Sequence, residues 1–338
     1  MKFPELRQDI TNRSWVIIAP SRSKKPSDFE KKNQIKEKIQ PQYSSDCPFC
    51  LGNEKQDENR EVIRIGNKKN WKIRILKNKF PALEEKGKRI WKVNGIKRLM
   101  LGIGIHEVIV ETPYHNLTLA TMTQNHVKEI LKAYLLRSSQ IAKDKRIEQI
   151  IIFKNHKEMA GASLIHSHSQ IIATPIIPFQ TKIYLEESAR YFDNTGECIF
   201  CKIIKDELKE KIRIVLENKS FVSLVPYGAS SPFHLWIIPK KHNASFLKIT
   251  SNEINDLSSI LKNTLAKLYF GLNDPAYNYV LCSSPIDILK SDSLHWYINI
   301  VARVTKIAGF EIGSGMFINP IPPEESADFL RKVKIDKG

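Results

Sequence analysis

The chain writes one pattern twice. Cys47-Pro48-Phe49-Cys50 heads the first half and Cys198-Ile199-Phe200-Cys201 the second. Each pair is followed by strand-like segments, a proline just ahead of a histidine, a helix, and a strand that carries another histidine. These histidines are His115 and His166 in the first copy, 51 residues apart, and His242 and His295 in the second, 53 apart. His115-Asn116 leads after eight residues to Thr123 and a helix, and His242-Asn243 leads in the same way to Thr250. Two long copies point to a duplicated α+β domain, since a solenoid needs several short repeats to cover its core.

The duplicated residues are also metal-ligand types. Cys47, Cys50, His115 and His166 form one set and Cys198, Cys201, His242 and His295 the other. A two-residue gap lets both thiolates of a Cys-x-x-Cys reach one tetrahedral zinc at about 2.3 Å, and four protein ligands leave no open position. Two structural Zn2+ sites are therefore expected. A redox dithiol is the alternative for a bare Cys-x-x-Cys. A single all-thiolate site would leave the repeated histidines unexplained. Cys282 stands alone, and a disulfide framework is not expected in a large intracellular chain.

From Leu164 to Ile172 the run is short, apolar and bounded by Gly161 and Pro175, which predicts a buried strand. Residues two apart share a strand face, so His166, His168 and Gln170 fall on one side and Ser167 and Ser169 on the other. One histidine on such a strand is more often a hydrogen-bonded core residue than a site. Two imidazoles and a carboxamide separated by small residues reverse those odds, because each polar group needs a partner when buried. The two copies divide the labour: His166 matches His295, whereas His168 meets Tyr297 in the second copy. That frees His168 for chemistry. A neutral imidazole attacks phosphorus without prior deprotonation, provided its other nitrogen donates to a fixed acceptor. Attack on an α-phosphate gives a nucleotidyl-histidine. Gln170 can donate to a phosphoryl oxygen, and Ser163 with nearby backbone N–H groups can stabilise developing charge. Glutamine is neither acid nor base, so the set suits transfer between two phosphorylated substrates better than hydrolysis.

The rest of the chain bounds this reading. At 338 residues and 42% hydrophobic content it has ample core. A formal charge of +17 favours an anionic ligand, although lysines scattered over the surface segments would produce the same total. The basic run Ser21 to Pro26 follows a strand at Trp15–Pro20 and can reach phosphate oxygens. Residues 27–45, charged and poor in large apolar groups, predict a mobile surface segment. Further strands are expected at Trp71–Leu76, Ile90–Val93, His106–Glu111 and Ile147–Phe153, with a helix from Thr123 to Ala142. No apolar run is long enough to span a membrane, and the N-terminus lacks the apolar stretch of a signal peptide, so a cytoplasmic protein is expected. A basic zinc protein binding nucleic acid is the reading from another class. Its ligands would need compact finger spacing, and here they stretch from Cys47 to His166 and from Cys198 to His295.

His166-x-His168-x-Gln170 resembles the transferase branch of the histidine-triad superfamily. Together with Arg7-x-Asp9, Arg22 to Pro26, CPFC, Asn78 to Leu83, Asn155, Gly161-Ala162-Ser163, Ile238 to His242 and Gly309-Phe310-Glu311, the chain resembles the galactose-1-phosphate uridylyltransferase family over nearly its whole length. The resemblance implies two histidine-triad-like domains, 1–190 and 195–338, each an antiparallel sheet with helices packed on it. The first would carry the nucleophile and the second a degenerate site. It implies ping-pong transfer in which His168 takes UMP from UDP-glucose, releases glucose 1-phosphate and passes UMP to galactose 1-phosphate. By the same carry-over Arg22 and Lys25 lie near phosphates, Asn78 near the nucleoside, Asn155 and Ser163 near the transferred phosphoryl group, and Glu311 near hexose hydroxyls. A homodimer is implied as well, with no nucleic-acid or membrane partner. Lys25, Lys79, the run Ile312 to Pro320 and the second Cys2His2 set depart from the best-known uridylyltransferases. HSHSQ, that second set and GSGMFINP look more like the ADP-glucose phosphorylases of the family, in which inorganic phosphate would accept AMP from the same histidine. Hexose-1-phosphate uridylylation is the leading expectation, and ADP-sugar phosphorolysis is the alternative.

Overall fold

A computed structural model of the chain describes residues 3–20 and 40–335. Arg22, Lys25 and residues 27–39 of the charged segment lie outside the described residues.

Fifteen strands and six α-helices are formed among the described residues. Strands β1 (Glu5–Asp9) and β2 (Ser14–Ile18) form a hairpin, and β3 (Glu61–Asn67) and β4 (Asn70–Lys77) a second one. A short hairpin of β5 (Trp91–Asn94) and β6 (Lys97–Met100) follows, then β7 (Ile105–Val110) and helix α1 (Gln124–Ile141). β8 (Gln149–His156) and β9 (His168–Thr174) complete the first half. Helices α2 (Phe179–Thr195) and α3 (Ile199–Glu210) lead to β10 (Ile214–Glu217), β11 (Phe221–Leu224) and β12 (Leu235–Pro239). Helix α4 (Ser251–Gly271), β13 (Tyr277–Cys282) and β14 (Tyr297–Ala302) come next. The chain ends in α5 (Gly309–Ser314), β15 (Phe317–Asn319) and α6 (Pro323–Lys332).

The duplication is visible in the sheet. Its ten strands run β10-β11-β12-β14-β13-β8-β9-β7-β4-β3, so five strands of one half mirror five of the other about the antiparallel β13–β8 junction. Joining edge to edge satisfies the backbone groups that two separate edges would expose. A separate three-stranded sheet, β1-β2-β15, ties the N-terminal hairpin to the C-terminal segment through a parallel β2–β15 pairing.

Strand alternation gives the sheet two different faces. Ile109, Ile152, Ile171, Tyr279, Ile298 and Ile237 point to the side covered by α1 and α4 and are nearly inaccessible. Each such side chain contributes about 1.5–3 kcal/mol when fully buried. Both helices start where the sequence predicts. Thr123 accepts a hydrogen bond from His126 N–H, and Thr250 forms a reciprocal capping box with Glu253. The opposite face carries Val108, His168, Gln170, Phe153, Val280 and Asn299, as the pairings Val110 with His168, Val108 with Gln170, Phe153 with Gln170 and Val280 with Asn299 require.

One expectation needs correction. The strand at the centre of the motif begins at His168 and not at Leu164, and residues 161–167 form an irregular approach in which Ile165 is 63% exposed. The cause is local: the carbonyl of His166 accepts a hydrogen bond from the ring of His168. Gly161, at φ +89°, turns the chain before that point. His166 nevertheless remains on the His168 side, since the Phe49 ring packs edge-on against both imidazoles.

Candidate active site and metal centres

In the first copy Cys47 Sγ lies 3.5 Å from His166 Nδ1, and Cys50 Sγ lies 3.5 Å from His115 Nδ1 and 3.7 Å from His166 Nδ1. In the second, Cys201 Sγ is 3.3 Å from His242 Nδ1 and 3.7 Å from His295 Nδ1, with Cys198 Sγ 3.9 Å from the latter. Tetrahedral zinc with its usual bond lengths separates sulfur and nitrogen ligands by about 3.5 Å. Second nitrogens are committed elsewhere: His166 Nε2 donates to Thr112 O at 2.7 Å, His295 Nε2 to Pro239 O at 2.9 Å and His242 Nε2 to Ser291 O at 2.8 Å. Such outer bonds fix the tautomer that leaves Nδ1 as a lone pair facing the thiols. Burial also pushes the His166 pKa down to about 4, which keeps that ring neutral. All four donor atoms in each set lie within 4.8 Å of one another, so both groups could hold a metal ion.

His168 sits beside the first group, 6% exposed. Its Nδ1–H donates to His166 O at 2.8 Å, so Nε2 keeps its lone pair. Burial, reinforced by the nearby Lys154 charge, lowers its pKa, so the ring is uncharged at neutral pH. Beneath it lies a buried polar layer that sequence reasoning missed. Lys154 Nζ donates to Glu111 Oε2 at 2.6 Å, to Ser167 Oγ at 3.0 Å and to the His168 carbonyl at 2.9 Å. Ser167 donates to Glu111 Oε2 and Tyr134 to Glu111 Oε1, while Ser169 bonds the Tyr134 hydroxyl. The two serines between the site residues are thus anchored to an ion pair.

Around His168 the predicted residues take the following places. Gln170 Oε1 meets His106 Nε2 at 2.8 Å. Asn78 donates its backbone N–H to His106 O. Asn155 lies on the Gln170 face, two residues past Phe153, and its Oδ1 accepts from Asn278 at 2.8 Å. Ser163 is exposed in the approach to His166. Glu311 caps α5 by accepting the Ala308 N–H and lines a groove with Ser230, Arg303, Lys306 and Phe317. In the second copy the corresponding face is filled. Tyr297 packs against Phe200, Trp236 and Tyr184. Cys282 stands opposite Tyr297 in register, and burial pushes its thiol up to about 12.

Models of the galactose-1-phosphate uridyl transferase N-terminal and C-terminal domains match residues 2–178 and 184–330. The chain belongs to the galactose-1-phosphate uridylyltransferase family. It is 38% identical to an ADP-glucose phosphorylase of Arabidopsis thaliana, over 98% of this chain and 93% of that one. It is 26% identical to a galactose-1-phosphate uridylyltransferase of Thermotoga maritima, over 98% and 99% of the two chains. Among solved structures it superposes on the A. thaliana ADP-glucose phosphorylase with bound ADP-glucose at a TM-score of 0.83, with 35% identity and 99% and 100% coverage. A uridylyltransferase structure gives a TM-score of 0.73 at 26% identity, with 97% of each chain covered. The α+β fold is the family's. No helix among the described residues is long and apolar enough to cross a membrane.

Proposed function

We propose that the protein is a nucleotidylyltransferase that moves AMP from an ADP-sugar to inorganic phosphate through His168. The observation that carries the reading is the fixed ring: Nδ1–H is held by the His166 carbonyl, and Nε2 is left as an uncharged nucleophile. Nε2 attacks the α-phosphorus of the donor, the bond to the β-phosphate oxygen breaks, and glucose 1-phosphate leaves. An oxygen of inorganic phosphate then attacks the same phosphorus, breaks the P–N bond and departs as ADP. Gln170 donates to the phosphoryl oxygens and Ser163 supplements it. Asn155 holds the transferred group, Asn78 the nucleoside, Arg22 and Lys25 the phosphates, and Glu311 the hexose. Two Zn2+ ions, held by Cys47, Cys50, His115 and His166 and by Cys198, Cys201, His242 and His295, brace the halves 1–190 and 195–338. A cytoplasmic homodimer completes the proposal.

The family resemblance makes uridylyl transfer to a hexose 1-phosphate the leading expectation from sequence, while HSHSQ, the second Cys2His2 set and GSGMFINP look more like the phosphorylases. The 38% relative and its ADP-glucose-bound structure move the weight to the phosphorylase. Uridylyl transfer between UDP-glucose and galactose 1-phosphate stays the second reading, supported by the 26% relative. Product analysis separates them. The proposal expects ADP and glucose 1-phosphate from ADP-glucose plus phosphate, in a reaction lost in His168→Asn. Turnover of UDP-glucose with galactose 1-phosphate alone would transfer the assignment to the second reading.

A further inference from the structure

We propose that His106 is a positioning residue that fixes which end of the Gln170 carboxamide faces the reacting phosphoryl group. This inference rests on the reading of His168 as nucleophile. A glutamine at such a place is useful only if its NH2 end faces substrate, because its oxygen would repel a phosphoryl oxygen. Nothing intrinsic to the side chain selects that end, since the two ends have nearly the same shape.

The selection comes from a backbone group. Ala82 N–H donates to His106 Nδ1 at 3.0 Å, and a backbone donor cannot be inverted. Nδ1 is therefore the acceptor and the proton of the neutral ring sits on Nε2. Nε2 lies 2.8 Å from Gln170 Oε1, so it donates there and turns the carboxamide oxygen toward β7. The NH2 of Gln170 is then the end left for an incoming oxygen. Asn78 Nδ2 also lies 3.0 Å from His106 Nε2, but its Oδ1 accepts from Phe80 N–H, so its amide faces a donor and cannot supply the ring. Register supports the arrangement: Val108 pairs with Gln170 and His106 with Ile172, which makes His106 the diagonal neighbour of Gln170 on one face. The relay begins at Ala82, four residues after Asn78, the residue proposed above to hold the nucleoside, and Asn78 and Ala82 both meet the His106 ring.

The second copy repeats the device. Ser230 N–H donates to His234 Nδ1, and His234 Nε2 meets Asn299 Oδ1 at 2.6 Å. His106 stands 60 residues before His166, and His234 stands 61 before His295. Burial pushes His234 down to about 4, so that ring is neutral too. There the amide lies on the face filled by Trp236 and Tyr297, with Tyr297 at the place that His168 holds in the first copy. The histidine–amide pair is thus a built feature of the duplicated unit, put to chemical use where His168 remains.

Three variants separate the roles of the ring. His106→Gln restores an amide N–H near the Nε2 place, His106→Asn restores only an acceptor near the Nδ1 place, and His106→Phe restores neither. The rate of α-phosphate label transfer to His168 in single-turnover mixing is read for each, with zinc content and melting temperature as controls. Wild-type protein is tested first with ADP-glucose and UDP-glucose, and failure to label with either defeats the functional reading and not the His106 assignment. The assignment expects His106→Asn and His106→Phe to lose about 10²-fold or more in the labelling rate with donor affinity changed less than fivefold, as for loss of one aimed donor. His106→Gln should recover at least tenfold of that loss. In a Gln170→Ala background, His106→Asn should cost no more than twofold further. An unchanged rate in His106→Asn, or the same loss with and without Gln170, overturns it. Selective 15N labelling supplies a readout that needs no turnover: the assignment expects a protonated Nε2 on His106, and a protonated Nδ1 contradicts it.

Discussion

Replacing Lys154 by methionine tests whether a buried ion pair braces the strand that carries His168. The stem keeps its length and apolar contacts, and the ammonium is removed. In the folded chain Lys154 is 1% and Glu111 0% exposed at the side chain, with 2.6 Å between Nζ and Oε2. Nζ faces three acceptors, Glu111, Ser167 and the His168 carbonyl, which requires three N–H donors and hence the charged lysine. Burial alone would raise the Glu111 pKa, but the Lys154 charge and the bonds from Lys154, Ser167 and Tyr134 outweigh it and hold the carboxyl below its usual value. Removing one member strands the other charge without water, at a cost of about 3–5 kcal/mol. That is a large share of the roughly 5–15 kcal/mol that keeps a domain folded. Glu111→Gln should cost a similar amount. The double variant Glu111→Gln/Lys154→Met should lose far less than the sum, since replacing a whole buried pair by neutral groups is nearly neutral in many proteins. Urea midpoints of the zinc-loaded proteins, followed by tryptophan fluorescence, give the numbers. A loss below about 1 kcal/mol for Lys154→Met, or strict additivity in the double variant, would refute an ionised brace.

Other outcomes follow from the same coordinates. Cys47→Ser and Cys198→Ser should each remove one of two zinc ions per chain by metal analysis, because the two donor sets share no residue. Loss of both ions from either variant would contradict independent sites. Thr250→Ala should destabilise by about 1 kcal/mol in urea unfolding, since it opens the capping box at the head of α4. Gly104→Ala should cost about 1–3 kcal/mol or more, because its Cβ would lie 2.3 Å from the carbonyl oxygen of Ala173 at a φ of +153°. A stability equal to wild type there would show that β7 and β9 can part at that point.

Much of this was legible in the sequence because the duplication supplied its own comparison. Matching Cys-x-x-Cys, His115 with His242 and His166 with His295 isolates the two donor sets, and the folded chain brings both together. The same comparison singles out His168 through Tyr297. Helix starts at Thr123 and Thr250 were readable because capping is local chemistry. The beginning of β9 was not, since it is decided by a side-chain bond from His168 to the His166 carbonyl and not by apolar pattern. Nothing in the local pattern links Lys154 to Glu111, 43 residues apart, and only the pairing of distant strands buries them against each other. His106 carried a signal that went unread. Its counterpart His234 stands at nearly the same distance from the shared histidine, and the repeat could have exposed the pair as it exposed the metal ligands.

Covalent capture of the nucleotide tests the central claim most directly. The protein is mixed with ADP-glucose labelled at the α-phosphate, without phosphate, then quenched in alkali and digested. The account predicts about one acid-labile label per chain on the peptide carrying His168, discharged as ADP when phosphate is added before the quench. Label on another residue, or full labelling of His168→Asn, would contradict it.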